Sequence, residues 1–220
     1  MFESLLHLDD QILLGINGSH SLMLDNVILL ITYTITWVPM GVFMLWLVYK
    51  KMGARYFFGV LAGIAACIFV ADIVSSGIFK PLVERYRPTR DPDLMNMVDV
   101  VNGYRGGKYG FFSSHAANTM SVAVFLSYVF RNKVLTSLLL LWSVLNCWSR
   151  LYLGVHFLSD VITGIIFGVL VGRVVYLVFR HFYKKQQTQE KQTQALASPL
   201  ITSILLTFVL ILTIAPLLAK

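Results

Sequence analysis

This chain has little cysteine, little charge and no positive charge near its start. Only two of its 220 residues are cysteines, Cys67 and Cys147, and both stand inside apolar runs. Such a pair argues against a disulfide framework or a metal cluster and reads as two small buried hydrophobes. No Lys or Arg precedes Lys50, while Glu3, Asp9 and Asp10 fall among the first ten residues. A cleaved signal peptide needs a basic leading segment, so the mature chain is expected to begin near Met1. Charged residues make up 13% of the chain and hydrophobic ones 57%, with a mean hydropathy of +0.72. A soluble domain of this length needs a more polar surface, so an integral membrane protein is expected. The net charge of +7 does not point to nucleic acid, because the basic residues lie between hydrophobic spans and form no soluble basic face.

What is present is a series of long apolar runs. Six spans can be drawn, near 26–49, 56–79, 115–131, 134–149, 158–180 and 198–217. The third and fourth are short and need an upright helix or a thin bilayer. Residues 1–20 mix Phe2, Leu5, Leu6, Leu8, Ile12 and Leu13 with Glu3, Asp9 and Asp10, which favours an interfacial amphipathic helix over a span. Residues 184–195, KKQQTQEKQTQA, read as a flexible polar connector, and there is no internal repeat. The expected fold class is all-α: one domain over 1–220, with a six-helix membrane bundle behind an N-terminal interfacial helix.

Six spans put the N-terminus, residues 80–114, 150–157 and the C-terminus on one side of the membrane. The opposite side holds Lys50, Lys51, Arg55, Arg131, Lys133, Arg180, Lys184, Lys185 and Lys191 against the single acid Glu190. Raw Lys and Arg counts are nearly equal on the two sides. The first span usually dominates, however, and Lys50, Lys51 and Arg55 follow it with nothing basic before it. That side is therefore read as cytoplasmic and the other as outward.

Three polar clusters project outward: KPLVERYRP at 80–88, GFFSSHAAN at 110–118 and SRLYLGVHFLSD at 149–160. Lys80, Arg87 and Arg150 supply three positive charges, enough to neutralise a phosphate dianion. Ser113 and Ser114 open a helix, where hydroxyls and unpaired amides can converge on an anion. His156 and Asp160 are four apart on a helical first turn, so the carboxylate can take one ring nitrogen and leave the other as a nucleophile or base. His115 is a second imidazole, placed to give a proton to a leaving group.

Lys80–x6–Arg87–Pro88, then Ser113–x–His115, then Ser149–Arg150–x5–His156–x3–Asp160 resembles the three-part signature of the type 2 phosphatidic acid phosphatases, the PAP2 superfamily. The middle part departs from it: the family usually reads Pro-Ser-Gly-His, and this chain reads Phe112–Ser113–Ser114–His115. The resemblance implies metal-independent phosphoryl transfer through a phosphohistidine, with no cofactor. By position, His156 would be the nucleophile, Asp160 its orienting partner and His115 the general acid, with Lys80, Arg87, Ser113 and Arg150 on the phosphate. It also implies a six-helix bundle with its site at the membrane–water boundary, reached by lipid from the side.

A metal is the natural rival, but three nearby cations would repel Mg²⁺ or Zn²⁺ and welcome a phosphate. The expected activity is that of a lipid phosphatase on the outward face of a cytoplasmic-type membrane. Undecaprenyl diphosphate or a similar prenyl diphosphate is the first substrate candidate, followed by phosphatidylglycerol phosphate and phosphatidic acid. The alternatives are a phosphatase or phosphotransferase for the lipid A disaccharide, and a PAP2-fold protein that binds or translocates lipid without turnover.

Other residues have structural readings. Arg85, Arg90, Arg105 and Lys108 read as a solvated basic rim, and Glu84 as a salt-bridge partner. Asp72 needs a partner within its span, with Ser75, Ser76 and Arg173 in reach, or supports Lys80 from beneath. Gly164, Gly168 and Gly172 form a small-residue packing stripe. Trp37, Trp142 and Trp148 are assigned to the interfaces.

The topology is tested with single cysteines in a background lacking Cys67 and Cys147. In intact cells, Asp93→Cys should react with a membrane-impermeant thiol reagent and Gln187→Cys should not; the reverse pattern would invert the orientation.

Overall fold

In a computed structural model of the chain, residues 2–19, 21–183 and 193–218 are described. They are helical throughout apart from loops, with one isolated antiparallel bridge, Tyr86 to Tyr109. Helix α1 spans Phe2–Ile16, α2 Leu22–Thr32 and α3 Thr34–Asp72. A π-helical stretch, Ile73–Phe79, carries α3 into the short α4, Lys80–Val83. Then come α5, Ser114–Phe130; α6, Lys133–Tyr152; α7, Leu158–Phe182; and α8, Ala197–Ile214. Most of the polar connector expected at 184–195 lies outside the described residues.

Among the described residues, four helical stretches are long and apolar enough to cross a membrane: Thr34–Val83, Lys133–Tyr152, Leu158–Phe182 and Thr193–Leu218. The expected third span, 115–131, coincides with the 17-residue α5, which is not among these four, and the boundaries differ from the expected spans in two further places. Residues 26–32 belong to the separate eleven-residue α2, which ends at Tyr33 in extended backbone. The expected second span is joined to the first in a single 50-residue run, interrupted at Gly53.

Gly53 has φ 79° and ψ 172°, a left-handed conformation that glycine adopts without a Cβ penalty. Before it, Trp37 packs on Trp142 in α6, and Val48 clusters with Leu135 at the start of α6. After it, Cys67 Sγ donates to the Ser121 carbonyl at 3.7 Å, and Ala71 packs with Ala117 nearer the start of α5. The two arms of α3 therefore run in opposite directions.

Helix ends are set by local chemistry. Ser113 starts α5 by accepting the Ala116 N–H at 3.3 Å, and Asn132 starts α6 by accepting the Leu135 N–H at 3.0 Å. Helices α5 and α7 approach closely because Gly164, Gly168 and Gly172 face α5 backbone. A Cβ on Gly168 would lie 2.7 Å from the Ala117 carbonyl, and one on Gly164 2.5 Å from that of Ser113. This close contact brings the starts of α5 and α7, and with them His115 and His156, to one end of the bundle.

Helix α1 is not among the apolar stretches long enough to cross a membrane, but its polar side does not face solvent. Leu6 and Leu8 are exposed, whereas Asp9 and Leu13 are buried. Leu13 packs with Val98 and Phe157, and Asn17 Nδ2 donates to the Tyr152 carbonyl at 2.9 Å. The helix is thereby fastened to the loop between α6 and α7. Trp142 also departs from the interfacial assignment: it sits midway along α6, packed edge-on against Trp37.

Candidate active site

The α6–α7 loop places His156 with 1% of its surface exposed. Its Nδ1 lies 3.4 Å from Asp160 Oδ2, the i to i+4 contact expected from the spacing. Among the described residues no hydrogen bond reaches Nε2. Burial, followed by the positive charges of Arg87, Arg150 and Lys80, holds the imidazole pKa well below its ordinary value. A neutral imidazole in this setting would carry its proton on Nδ1, facing the carboxylate, and leave the lone pair of Nε2 free.

Asp160 caps its own helix, accepting the Phe157 N–H on Oδ2 at 3.1 Å. Its other oxygen, Oδ1, takes Arg85 at 3.0 Å, and its backbone carbonyl accepts the Ser113 N–H at 3.0 Å. One residue thus joins the start of α7, the start of α5 and the segment after α4.

The three expected cations converge on this end. Arg87 is 9% exposed, held by a bond from Nε to the Tyr109 carbonyl at 3.1 Å. Desolvation and then Arg150 lower its pKa to about 10, which still leaves it charged at pH 7. Arg150 is 4% exposed and donates to Thr32 Oγ1 at 2.6 Å and Tyr104 Oη at 3.1 Å, while its Nε is buried without a partner among the described residues. Lys80 Nζ donates to Ser114 Oγ and to Ser76 Oγ, both at 2.9 Å. Ser76 in turn donates to Asp72 Oδ1 at 3.3 Å, so Asp72 supports Lys80 from beneath and makes no ion pair with Arg173 among the described residues. His115 Nε2 lies 3.2 Å from Asn146 Oδ1.

No carboxylate bonds Lys80, Arg87 or Arg150 among the described residues. Three cations gathered around an imidazole at a helix start can hold a phosphate dianion and offer it a nitrogen nucleophile. Gly110 completes the wall: a Cβ there would sit 3.0 Å from Asp160 Oδ2 and 3.6 Å from His156 Nδ1.

Sequence reasoning missed the partners behind this geometry. Arg85 is not part of a solvated rim. It bridges Asp160 and Asp9 at 3.0 and 2.9 Å, donates to Ser159 Oγ at 2.7 Å and stacks over the Phe157 ring. Asp9 of α1 also accepts the Ser159 backbone N–H at 3.0 Å and the Ser159 hydroxyl, helping to cap α7. Neither residue stands at a position of the signature, so spacing gave no sign of them. Glu84 is exposed and makes no ion pair among the described residues. Arg90, Arg105 and Lys108 are exposed, as expected.

The family model for the PAP2 superfamily matches residues 57–184. The lipid A 4'-phosphatase of Porphyromonas gingivalis is 41% identical over 180 residues, covering 80% of this chain and 75% of that protein. The lipid A 4'-phosphatase of Bacteroides thetaiotaomicron is 36% identical over 179 residues, covering 81% of this chain and 80% of that protein. No solved structure matches the chain.

Arg85→Ala removes the cation that fixes Asp160 and should lower kcat for phosphate release about 10–100-fold, with KM little changed. Arg85→Lys should recover part of the loss. In an Asp160→Asn background the Arg85 substitution should cost little more, because the two act as a unit. Steady-state kinetics on the unmodified enzyme and these variants checks this; full additivity of the Arg85→Ala and Asp160→Asn losses would contradict it.

Proposed function

The chain belongs to the PAP2 superfamily, and on that premise we propose that it removes a phosphate monoester from a lipid A disaccharide. It is a membrane lipid phosphatase; the observation that carries the finer reading is its likeness to two lipid A 4'-phosphatases over four-fifths of its length. Nothing in the geometry separately favours a prenyl diphosphate, which serves as the comparison substrate.

In the proposed mechanism Lys80, Arg87, Arg150 and the α5 amides hold the phosphate, with the Ser113 and Ser114 hydroxyls at the helix start. His156 Nε2 attacks phosphorus and the bond to the sugar oxygen breaks. Asp160 stabilises the positive charge that develops on the ring, in the way a buried carboxylate steadies a catalytic imidazole. His115 protonates the departing oxygen, and the bound dianion favours the imidazolium form that this requires. Water then attacks the phosphohistidine, with His115 accepting its proton, and inorganic phosphate leaves. The free Nε2 and the Nδ1–Asp160 contact support the assignment of His156 over His115 as nucleophile.

We read the chain as one domain with six crossings, counting the two arms of α3 separately and adding α5, α6, α7 and α8. The antiparallel packing of the arms across Gly53 supports that count. The site is assigned to the outward, periplasmic face of the inner membrane, which the cations following the first span support.

The purified full-length chain should release inorganic phosphate from lipid A in the presence of excess EDTA. Mass spectrometry should find the disaccharide lighter by one phosphate, and undecaprenyl diphosphate should be hydrolysed more slowly. Rapid hydrolysis of the prenyl diphosphate with lipid A untouched would overturn this reading.

A further inference from the structure

Beside His115, between α3, α5 and α6, lies a half-open cavity of about 230 Å³ whose wall includes Thr32, His115, Asn118, Thr119, Trp142 and Asn146. A second cavity of about 150 Å³ shares Trp37, Ile64, Val122 and Trp142 with it, and the residues beyond are apolar except Ser203, among them Met44, Leu126, Leu135, Leu139 and Ile204. The shared walls set the two cavities side by side, a slot in two compartments that meet at the Trp37–Trp142 pair. On α5 the face lining it reads His115, Asn118, Thr119, Val122, Leu126 and Phe130, which is helical spacing along one side. On α6 it reads Asn146, Trp142, Leu139 and Leu135. Both helices therefore change from polar to apolar in the same direction, away from the site.

Two polar atoms in the wall stand out. Trp142 Nε1 and Asn118 Oδ1 are buried and have no hydrogen-bond partner among the described residues. The neighbours are satisfied. Trp37 Nε1 donates to the Ile31 carbonyl at 2.9 Å, Thr119 Oγ1 donates to that of His115 at 3.0 Å, and Asn146 bonds both His115 and the Trp142 carbonyl. A buried donor and a buried acceptor left unpaired on a membrane-embedded wall are costly unless a ligand meets them.

We propose that this slot is the subsite for an amide-linked acyl chain of the substrate. Trp142 Nε1 donates to the amide carbonyl, Asn118 Oδ1 accepts the amide N–H, and the chain continues between Met44, Leu126 and Leu139. A secondary amide is the linkage that supplies one acceptor and one donor together; an ester leaves Asn118 unpaired, and a prenyl chain leaves both unpaired. The inference rests on the reading of the substrate as an acylated amino sugar phosphate, and it adds the group that fixes how that sugar is held at the phosphate site.

The test uses two synthetic substrates: a glucosamine phosphate carrying one long saturated chain through an amide, and the same molecule with the chain through an ester. The unmodified enzyme should favour the amide about tenfold in kcat/KM, mainly through KM. Asn118→Ala should erase that preference, since it removes the partner of the N–H. Trp142→Phe should weaken both substrates by a similar factor, since both have a carbonyl. Each ratio is internal to one preparation, so partial loss of folded protein does not alter it, and Asn118→Ser provides a second variant at that position. Equal turnover of amide and ester by the unmodified enzyme, or an amide preference that survives both Asn118 variants, overturns the inference and leaves the phosphatase reading standing. Failure to turn over either sugar phosphate, with undecaprenyl diphosphate consumed, overturns the substrate reading and this inference together.

Discussion

The fold of the site depends on the bonds made by Asp160. Its side chain meets His156 and Arg85, it caps the first turn of α7, and its backbone carbonyl takes the amide that begins α5. A carboxylate buried this completely is tolerable only when its lone pairs are filled, and here a backbone N–H, an imidazole and a guanidinium fill them. Because the same residue bonds both helix starts, the position of the histidine is tied to the position of the anion-binding amides. Arg85 then passes the constraint to Asp9, so the N-terminal helix forms part of the support of the site.

The opposite constraint comes from the cations. Arg87, Arg150 and Lys80 are gathered near His156 and are held by carbonyls and hydroxyls rather than by carboxylates. Their mutual repulsion and burial oppose an empty site and favour a guest of multiple negative charge. Burial first and the same field second lower the pKa of the His156 imidazole, favouring the neutral form that the proposed attack on phosphorus requires. In the proposed mechanism one arrangement of charge would serve both binding and activation, and its excess positive charge disfavours a divalent metal.

The parts of the site legible in the sequence were those fixed by spacing. Lys80, Arg87, His115, Arg150, His156 and Asp160 stand at intervals that place them at helix ends, and the structure brings them to one end of the bundle. The boundaries of the first two spans were less legible, because hydropathy reads through Tyr33 and does not register the left-handed turn at Gly53. Asp9 and Arg85 were missed for a different reason. Charged residues on an amphipathic helix and in a loop usually face water, and only tertiary packing shows that these two face each other over Asp160. Trp142 was read by the same averaging: tryptophan favours interfaces on average, but here it lies midway along α6, edge-on to Trp37.

The account rests on a covalent phosphoryl group on His156, and the adduct itself is its most direct test. The full-length enzyme would be mixed with a lipid phosphate, quenched rapidly without acid, digested and sequenced by mass spectrometry. A phosphohistidine on the peptide containing His156, absent from the His156→Ala protein, is the predicted result. An adduct on His115 or Ser114, or sustained turnover by His156→Ala, would contradict the assignment of the nucleophile.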